Sequence, residues 1–154
     1  MLEIDTQADD GKPLIQGAAE LTTTGNISGF EVFRWTTFGI EASVPLETRN
    51  PNSFVLVFDN TNGLTTGLAL SNVTGQSANV TVNLKDDAGA VLQAATISVA
   101  AHGHTSFMLP DQYASSVGKR GTVEFVTPVG GRISVIGVRA RPDGKLTTIP
   151  VLAK

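Results

Sequence analysis

Residues 79–99, NVTVNLKDDAGAVLQAATISV, decide the fold. In their first part, Val80, Val82 and Leu84 alternate with polar residues, which is the period-two pattern of a strand with one buried face. The turn at residues 86–89 follows, and Gly89 can accept the positive φ that a tight hairpin turn needs. The chain then returns through nine residues with strand-like alternation. The sequence therefore predicts an antiparallel β-hairpin.

The same kind of pattern continues on both sides of this hairpin. The chain has 18 threonines and 16 valines, which are β-branched, and 16 glycines that recur as turn residues do. Further strands are predicted over residues 14–24, 27–35, 40–46, 54–58, 67–71, 105–109, 121–127, 132–139 and 146–152. Residues 111–118 are predicted to form one short helical turn, and Pro150 places the last strand at a sheet edge.

About ten short strands of this kind predict an all-β protein. The expected architecture is an antiparallel β-sandwich, with an immunoglobulin-like or a jelly-roll-like strand order. A chain of 154 residues suits one domain. Residues 1–12 are polar and acidic and are expected to be a tail or linker, while residues 13–154 are expected to form a single sandwich domain.

Composition excludes several classes of function. The formal net charge is −3 and only 16% of residues are charged, which argues against a nucleic-acid binder that relies on broad positive charge. The absence of cysteine excludes a disulfide framework, a thiol nucleophile and a Cys-ligated metal. No run approaches 18 apolar residues, so no membrane-spanning helix is expected.

Two places resemble metal sites. His102 and His104 are two residues apart, so their rings share a face if the stretch is extended, and they could bind zinc or copper with a distant carboxylate. Asp59 opens the sequence Asp-Asn-Thr-Asn-Gly, which has the oxygen-rich composition of a calcium loop. It lacks the order and the distal glutamate of such loops. In both places an ordinary loop or turn is favoured, and we expect no cofactor.

Aromatic side chains are the candidates for glycan binding, because sugar rings stack on exposed aromatic faces. The chain has one tryptophan, Trp35, and one tyrosine, Tyr113, together with seven phenylalanines such as Phe38. Trp35 shares a strand face with Phe33, which favours a place in the core. A carbohydrate-binding module would need Trp35, Tyr113 or Phe38 to be exposed on a flat face or groove.

Motifs of catalysis are missing from the sequence. It contains no G-x-S-x-G, H-E-x-x-H or G-x-x-x-x-G-K-[ST] motif, and we expect no enzymatic activity.

A late set of basic residues could gather at one end of the sandwich and bind an acidic polymer, although the negative net charge favours a solvated surface. These residues are Lys119, Arg120, Arg132, Arg139 and Arg141.

The part of the chain over residues 54–152 resembles uncharacterised β-sandwich modules of large secreted proteins from soil bacteria, especially acidobacteria. The resemblance lies in residues 54–63, 67–72, 86–89, 101–110, 121–125 and 149–152. It covers about two thirds of the chain. It implies an extracellular sandwich in a multidomain protein and transfers no functional residue.

These observations predict a non-catalytic structural or adhesive interaction module of a secreted or cell-surface bacterial protein. The first alternative is a carbohydrate-binding accessory module, and the second is a metal-binding domain that uses His102 and His104. The expected partners are neighbouring domains of a longer chain, an extracellular protein or a polysaccharide. Exposed edge strands could also pair with a second copy of the chain.

Overall fold

Two stacked antiparallel sheets and one separate two-stranded hairpin make up the fold in the computed structural model. The structure describes residues 3–6, 16–35, 39–49 and 51–154, and for Trp35 it describes the backbone alone. The predictions for Phe38 and for most of the tail over residues 1–12 therefore lie outside the described residues. The division into a tail and a domain over residues 13–154 stays a prediction.

The separate hairpin consists of β1 (Phe30–Trp35) and β2 (Ile40–Pro45). The sandwich strands are β3 (Ser53–Asp59), β4 (Thr65–Asn72), β5 (Ala78–Asp86), β6 (Val91–Val99), β7 (His104–Met108), β8 (Arg120–Val126), β9 (Ile133–Ala140), β10 (Leu146–Ile149) and β11 (Val151–Ala153). Between β7 and β8 lie the helix α1 (Leu109–Gln112) and a 3-10 turn (Ala114–Ser116). The predicted all-β sandwich with one short helical piece is confirmed.

Strands that follow one another in sequence often belong to different sheets. The four-stranded sheet has the order β10-β9-β4-β7, and the five-stranded sheet has the order β11-β3-β8-β5-β6. Every neighbouring pair is antiparallel. This arrangement answers the question of which strands share a sheet, which the sequence pattern left open. It also makes β6, β7, β10 and β11 the four edges of the sandwich.

The hairpin over residues 79–99 forms as predicted. Strands β5 and β6 pair without interruption from Ala78 to Leu84, with Thr81 opposite Thr96, and the register shifts at Lys85. Gly89 has a φ of 85°. The Asp86 carboxylate accepts backbone hydrogen bonds from Ala88 at 3.1 Å and Ala90 at 2.8 Å, which closes the turn.

Alternating residues of both sheets fill the space between them. Burying each large apolar side chain contributes roughly 1.5–3 kcal/mol, so this layer is the main source of stability. Its largest members include Phe54, Leu56, Phe58, Leu68, Leu70, Val80, Val82, Leu84, Leu109, Val123, Phe125, Ile133 and Val135.

Two predicted strands differ from the structure. Residues 16–24, part of the first predicted strand, form no strand. The last predicted strand is divided at Pro150 into β10 and β11, which belong to different sheets. Proline has no N–H to donate, so pairing is interrupted where it stands. Both pieces lie at edges, as the proline predicts.

The β1–β2 hairpin is buried on one side only. Ile40, Ala42 and Val44 of β2 are buried, and β2 lies beside β10. On β1, Phe30 is 71% exposed and Phe33 is 39% exposed. Phe33 therefore does not lie in the core, because no second layer covers β1 among the described residues, and the place of Trp35 in the core stays a prediction. The Trp35 backbone pairs with Ile40, and its side chain lies outside the described residues.

Among the described residues, no helix is both long and apolar enough to cross a membrane.

Candidate functional site

The two histidines do not form a shared site. His102 lies in a turn with a φ of 50°, whereas His104 begins β7. The extended geometry that would place both rings on one face is therefore absent. His102 Nδ1 lies 3.4 Å from Glu20 Oε2, and His104 Nε2 lies 3.2 Å from the carbonyl oxygen of Gln16. The described ranges contain no group of three or more potential metal ligands.

Asp59 is occupied by the turn that it opens. Its carboxylate accepts hydrogen bonds from the Thr61 hydroxyl at 2.6 Å and the Thr61 N–H at 3.0 Å. These bonds, helped by the positive charges of Arg139 and Arg120, lower the pKa of Asp59. The next residue, Asn60, donates to the Ser116 carbonyl at 3.2 Å and accepts from the backbone of Thr66. The oxygens that suggested calcium thus hold the turn.

Tyr113 is buried, which corrects its candidacy as a platform for sugars. Only 3% of the residue is exposed. Its ring meets Phe107 edge to face, with centroids 5.9 Å apart. The helix α1 is short and is held on the sandwich by Leu109, so the residue that follows it turns inward. Burial raises the pKa of Tyr113, and its hydroxyl has no hydrogen-bond partner among the described residues.

We expect Tyr113→Phe to raise the free energy of unfolding by about 1 kcal/mol, because it removes a buried polar atom that gains no bond. Tyr113→Ala should lower it by about 3–5 kcal/mol through loss of packing. Urea unfolding of the two variants measures both changes. A Phe variant less stable than the natural chain would show that the hydroxyl has a partner.

One end of the sandwich carries an open cleft of about 500 Å³. Its walls come from the end of β3, the start of β8, the turn between β5 and β6, and one side chain of β9. The charged residues that line it are Asp59, Asp86, Asp87, Arg120 and Arg139. Strand pairing brings the walls together, because Asp59 lies opposite Arg120 and Asp86 lies opposite Gly121.

Four of these five charged side chains make hydrogen bonds within the chain. Asp59 and Asp86 accept the turn bonds given above. Arg120 Nε lies 2.6 Å from Asp87 Oδ2, which lowers the pKa of Asp87 and raises that of Arg120. Arg139 is the exception: its buried Nε–H has no hydrogen-bond partner in the part of the chain that the structure describes.

The orientation of Arg139 follows from the register of β9. Ile133, Val135 and Gly137 are buried, and Arg139 continues the same alternation. Its side chain therefore starts from the inner face of the strand, at the end of the sandwich. In sequence, Arg139 belongs to the group of late basic residues. Arg139 follows Gly137 by two residues and therefore shares its face of the strand, which is the sequence signal that distinguishes Arg139 from the other late basic residues.

The late basic residues do not form one patch. Arg120 and Arg139 line the same cleft. Arg132 precedes β9 and Arg139 lies near its other end, so a strand length of roughly 23 Å separates them. Arg141 pairs with Asp143 at 3.2 Å. Among the described residues these side chains therefore form no broad basic surface for an acidic polymer, and the solvated surface favoured by the negative net charge fits their separation better.

No protein-family model, curated protein or solved structure matches the chain.

Proposed function

We propose that the chain is a non-catalytic structural or adhesive interaction module of a secreted or cell-surface bacterial protein, and that it associates with a second copy through the edge of β6. The resemblance to sandwich modules of secreted proteins supports the first part. The second part rests on one observation, which is that β6 is a long sheet edge without charge and, among the described residues, without a strand on its outer side.

The other three edges are covered or short. Gln16 and Glu20 lie beside β7, through contacts to His104, Ser106 and His102. The β1–β2 hairpin lies beside β10. The third edge, β11, has only three residues.

From Gln93 to Val99, the β6 edge lacks the features with which proteins block strand addition, because the irregularity of the strand, at Leu92, lies before this part. Its sequence VLQAATISV contains no charged residue, no proline and no glycine. Edge strands that stay monomeric usually carry a charge or a proline, or are short or bulged. At its start, Gln93 accepts a hydrogen bond from Ser115. Beyond Gln93, the edge offers a row of backbone donors and acceptors to a partner strand.

A symmetric antiparallel pairing of two β6 strands fits their side chains. With the two-fold axis at Ile97, the two five-stranded sheets become one continuous sheet, and Thr96 of each copy lies opposite Ser98 of the other. On the inner side, Ala95 and Ile97 are half-buried and pack against the core, so pairing would cover what remains exposed of them. On the outer side, Thr96 and Ser98 are exposed and small, so they can lie opposite one another across the new pair.

We expect sedimentation velocity to show a concentration-dependent dimer of the full chain. The double variant Thr96→Lys with Ser98→Lys should abolish it, because like charges would then face each other across the new strand pair. The matched control is Asn79→Lys with Thr81→Lys. These positions are the β5 partners of Ser98 and Thr96, so the same charge is added one strand away from the edge.

The control should dimerise as the natural chain does. A natural chain that stays monomeric up to about 1 mM would overturn the proposed association. So would a dimer that survives the two lysines on β6, since that dimer would use another surface.

A further inference from the structure

Both histidines of the chain contact one N-terminal segment. His104 Nε2 lies 3.2 Å from the carbonyl oxygen of Gln16, and His102 Nδ1 lies 3.4 Å from Glu20 Oε2. The sequence has two histidines in all. Every imidazole of the molecule therefore lies beside residues 16–20, and we call this segment the strap.

The strap runs along the free edge of β7 in the antiparallel direction. Gln16 meets His104 and also Ser106, whose hydroxyl donates to the Gln16 side-chain carbonyl, whereas Glu20 meets His102 before the strand begins. The strap itself forms no strand, so the imidazoles and one hydroxyl hold it rather than a ladder of backbone bonds. A segment held by a few exposed polar contacts opens at little cost in free energy.

The surroundings of His102 leave Glu20 as the acidic group that contacts its ring. The His102 N–H donates to the carbonyl oxygen of Thr74 at 3.0 Å, and the loop over residues 73–77 carries no charge. Arg132 joins this loop through its backbone carbonyl, which accepts a bond at 3.2 Å. Arginine stays charged over the whole range in which histidine titrates, so it adds no step of its own.

The surroundings of His104 are also free of other titratable groups among the described residues that pack against it. Ser71 lies opposite His104 on β4. Neither β4 nor the rest of β7 contains a charged residue. Within the strap, Glu20 is the one charged residue. The charge that changes between strap and sheet is therefore that of the two imidazoles, until the pH is low enough to protonate a glutamate.

We propose that the strap is a pH-dependent cover of the β7 edge, which closes in mild acid and opens toward neutral pH. Histidine takes up a proton as the pH falls from about 8 to 5, whereas glutamate loses its charge only below about pH 4.5. Between these limits His102 and Glu20 carry opposite charges. A charged imidazole also has a proton on both nitrogens, while a neutral one has it on Nε2 in one tautomer only. Charging His104 thus makes it a donor to Gln16 in every molecule.

The direction of the pH dependence follows from proton linkage. The closed strap favours the protonated imidazoles, so it binds more protons than the open strap, and a fall in pH from about 8 favours closure. Below about pH 4.5, protonation of Glu20 removes the attraction to His102. Closure should therefore be greatest at about pH 5 to 6 and should decrease on both sides.

The absence of cysteine from the chain allows a direct test by paramagnetic NMR. Thr22→Cys places a single nitroxide label at an exposed position just after the strap. The relaxation enhancement of the β7 amides in the full chain then reports how often the strap is closed. It should peak at about pH 5 to 6. The ratio of closed to open molecules should fall by about twofold to fivefold at pH 7.5, which is the size expected for exposed ion pairs.

Variants identify the groups responsible. Glu20→Gln keeps the size of the side chain and should remove most of the pH dependence. His102→Asn should do the same, and asparagine tolerates the positive φ of this turn. Glu31→Gln is the matched control, because Glu31 is equally exposed but lies on β1, and it should leave the profile unchanged.

Several results would overturn the proposal. The first two are β7 amides without any relaxation enhancement, and an enhancement that stays constant from pH 4 to 7.5. The third is a profile that Glu20→Gln leaves intact or that Glu31→Gln alters equally. In a mixture of labelled ¹⁴N chain with unlabelled ¹⁵N chain, broadening of β7 would show that the strap belongs to a second copy. Association through β6 is followed by sedimentation and concerns the other sheet, so each of the two proposals can fail alone.

Discussion

Replacing Gly121 with alanine is expected to lower the free energy of unfolding by about 3 kcal/mol or more. A Cβ at this position would lie 2.7 Å from the Asp86 Cα and closer still to the Lys85 carbonyl oxygen. Both atoms belong to the backbone of β5, so no side chain can rotate away. Steric overpacking of this kind costs about 1–3 kcal/mol in a well-packed core and more where backbone must move.

The position of β8 explains why the strand cannot yield. Gly121 lies opposite Phe58 on one side and opposite Asp86 on the other. Moving β8 away from β5 would press it against β3. The pairing of β5 with β6 is also irregular at Leu84 and Lys85, close to where Gly121 meets β5.

Two other glycines provide graded controls for Gly121→Ala. Gly25 has open space around it and no positive φ, so Gly25→Ala should be close to neutral. Gly89 also has open space, but its φ of 85° makes Gly89→Ala cost about 1–2 kcal/mol. In urea unfolding, the loss of stability should be smallest for Gly25→Ala, intermediate for Gly89→Ala and largest for Gly121→Ala. A Gly121→Ala variant as stable as Gly25→Ala would contradict the strand packing described here.

The middle of the sandwich could be predicted from sequence because its signals are local. Alternation over residues 79–84 and a glycine turn require only neighbouring residues to agree. Pro150 acts locally in the same way. The orientation of Tyr113 has no such signal, since a four-residue helix has no repeating face from which burial can be inferred.

The N-terminal part misled sequence reasoning for a different reason. Residues 16–24 and β1 are rich in β-branched and apolar residues, which indicate strands. Strand formation also needs a partner and a layer to pack on. The segment over residues 16–20 meets β7 through side chains, and Phe30 has no covering layer among the described residues. The walls of the cleft come from strands that are far apart in sequence, so only the observed strand pairing shows that they meet.

Asn72→Ala is expected to lower the free energy of unfolding by at least about 3 kcal/mol, because it leaves several buried polar groups without hydrogen-bond partners. Asn72 is 1% exposed at the end of β4. Its Nδ2 donates to the carbonyl oxygens of Gln76 at 2.7 Å and Ala100 at 2.9 Å. Its Oδ1 accepts from the Thr74 N–H at 3.0 Å and hydroxyl at 2.8 Å. One side chain thus joins β4 to two loops.

Asn72→Asp distinguishes lost bonds from lost volume, since it keeps the size of the side chain and replaces a donor with an acceptor. At neutral pH it should be less stable than Asn72→Ala, because a charged oxygen would face the Gln76 and Ala100 carbonyls. Those carbonyls should raise the folded-state pKa of the new carboxyl above the unfolded value of about 3.9. Protonation restores a donor, so the stability of the Asp variant relative to Asn72→Ala should improve as the pH falls toward 4.

The control is Asn79→Ala, at an exposed position, which should stay within about 0.5 kcal/mol of the natural chain. An Asp variant that matches the natural chain at pH 7 would mean that Asn72 does not join these segments.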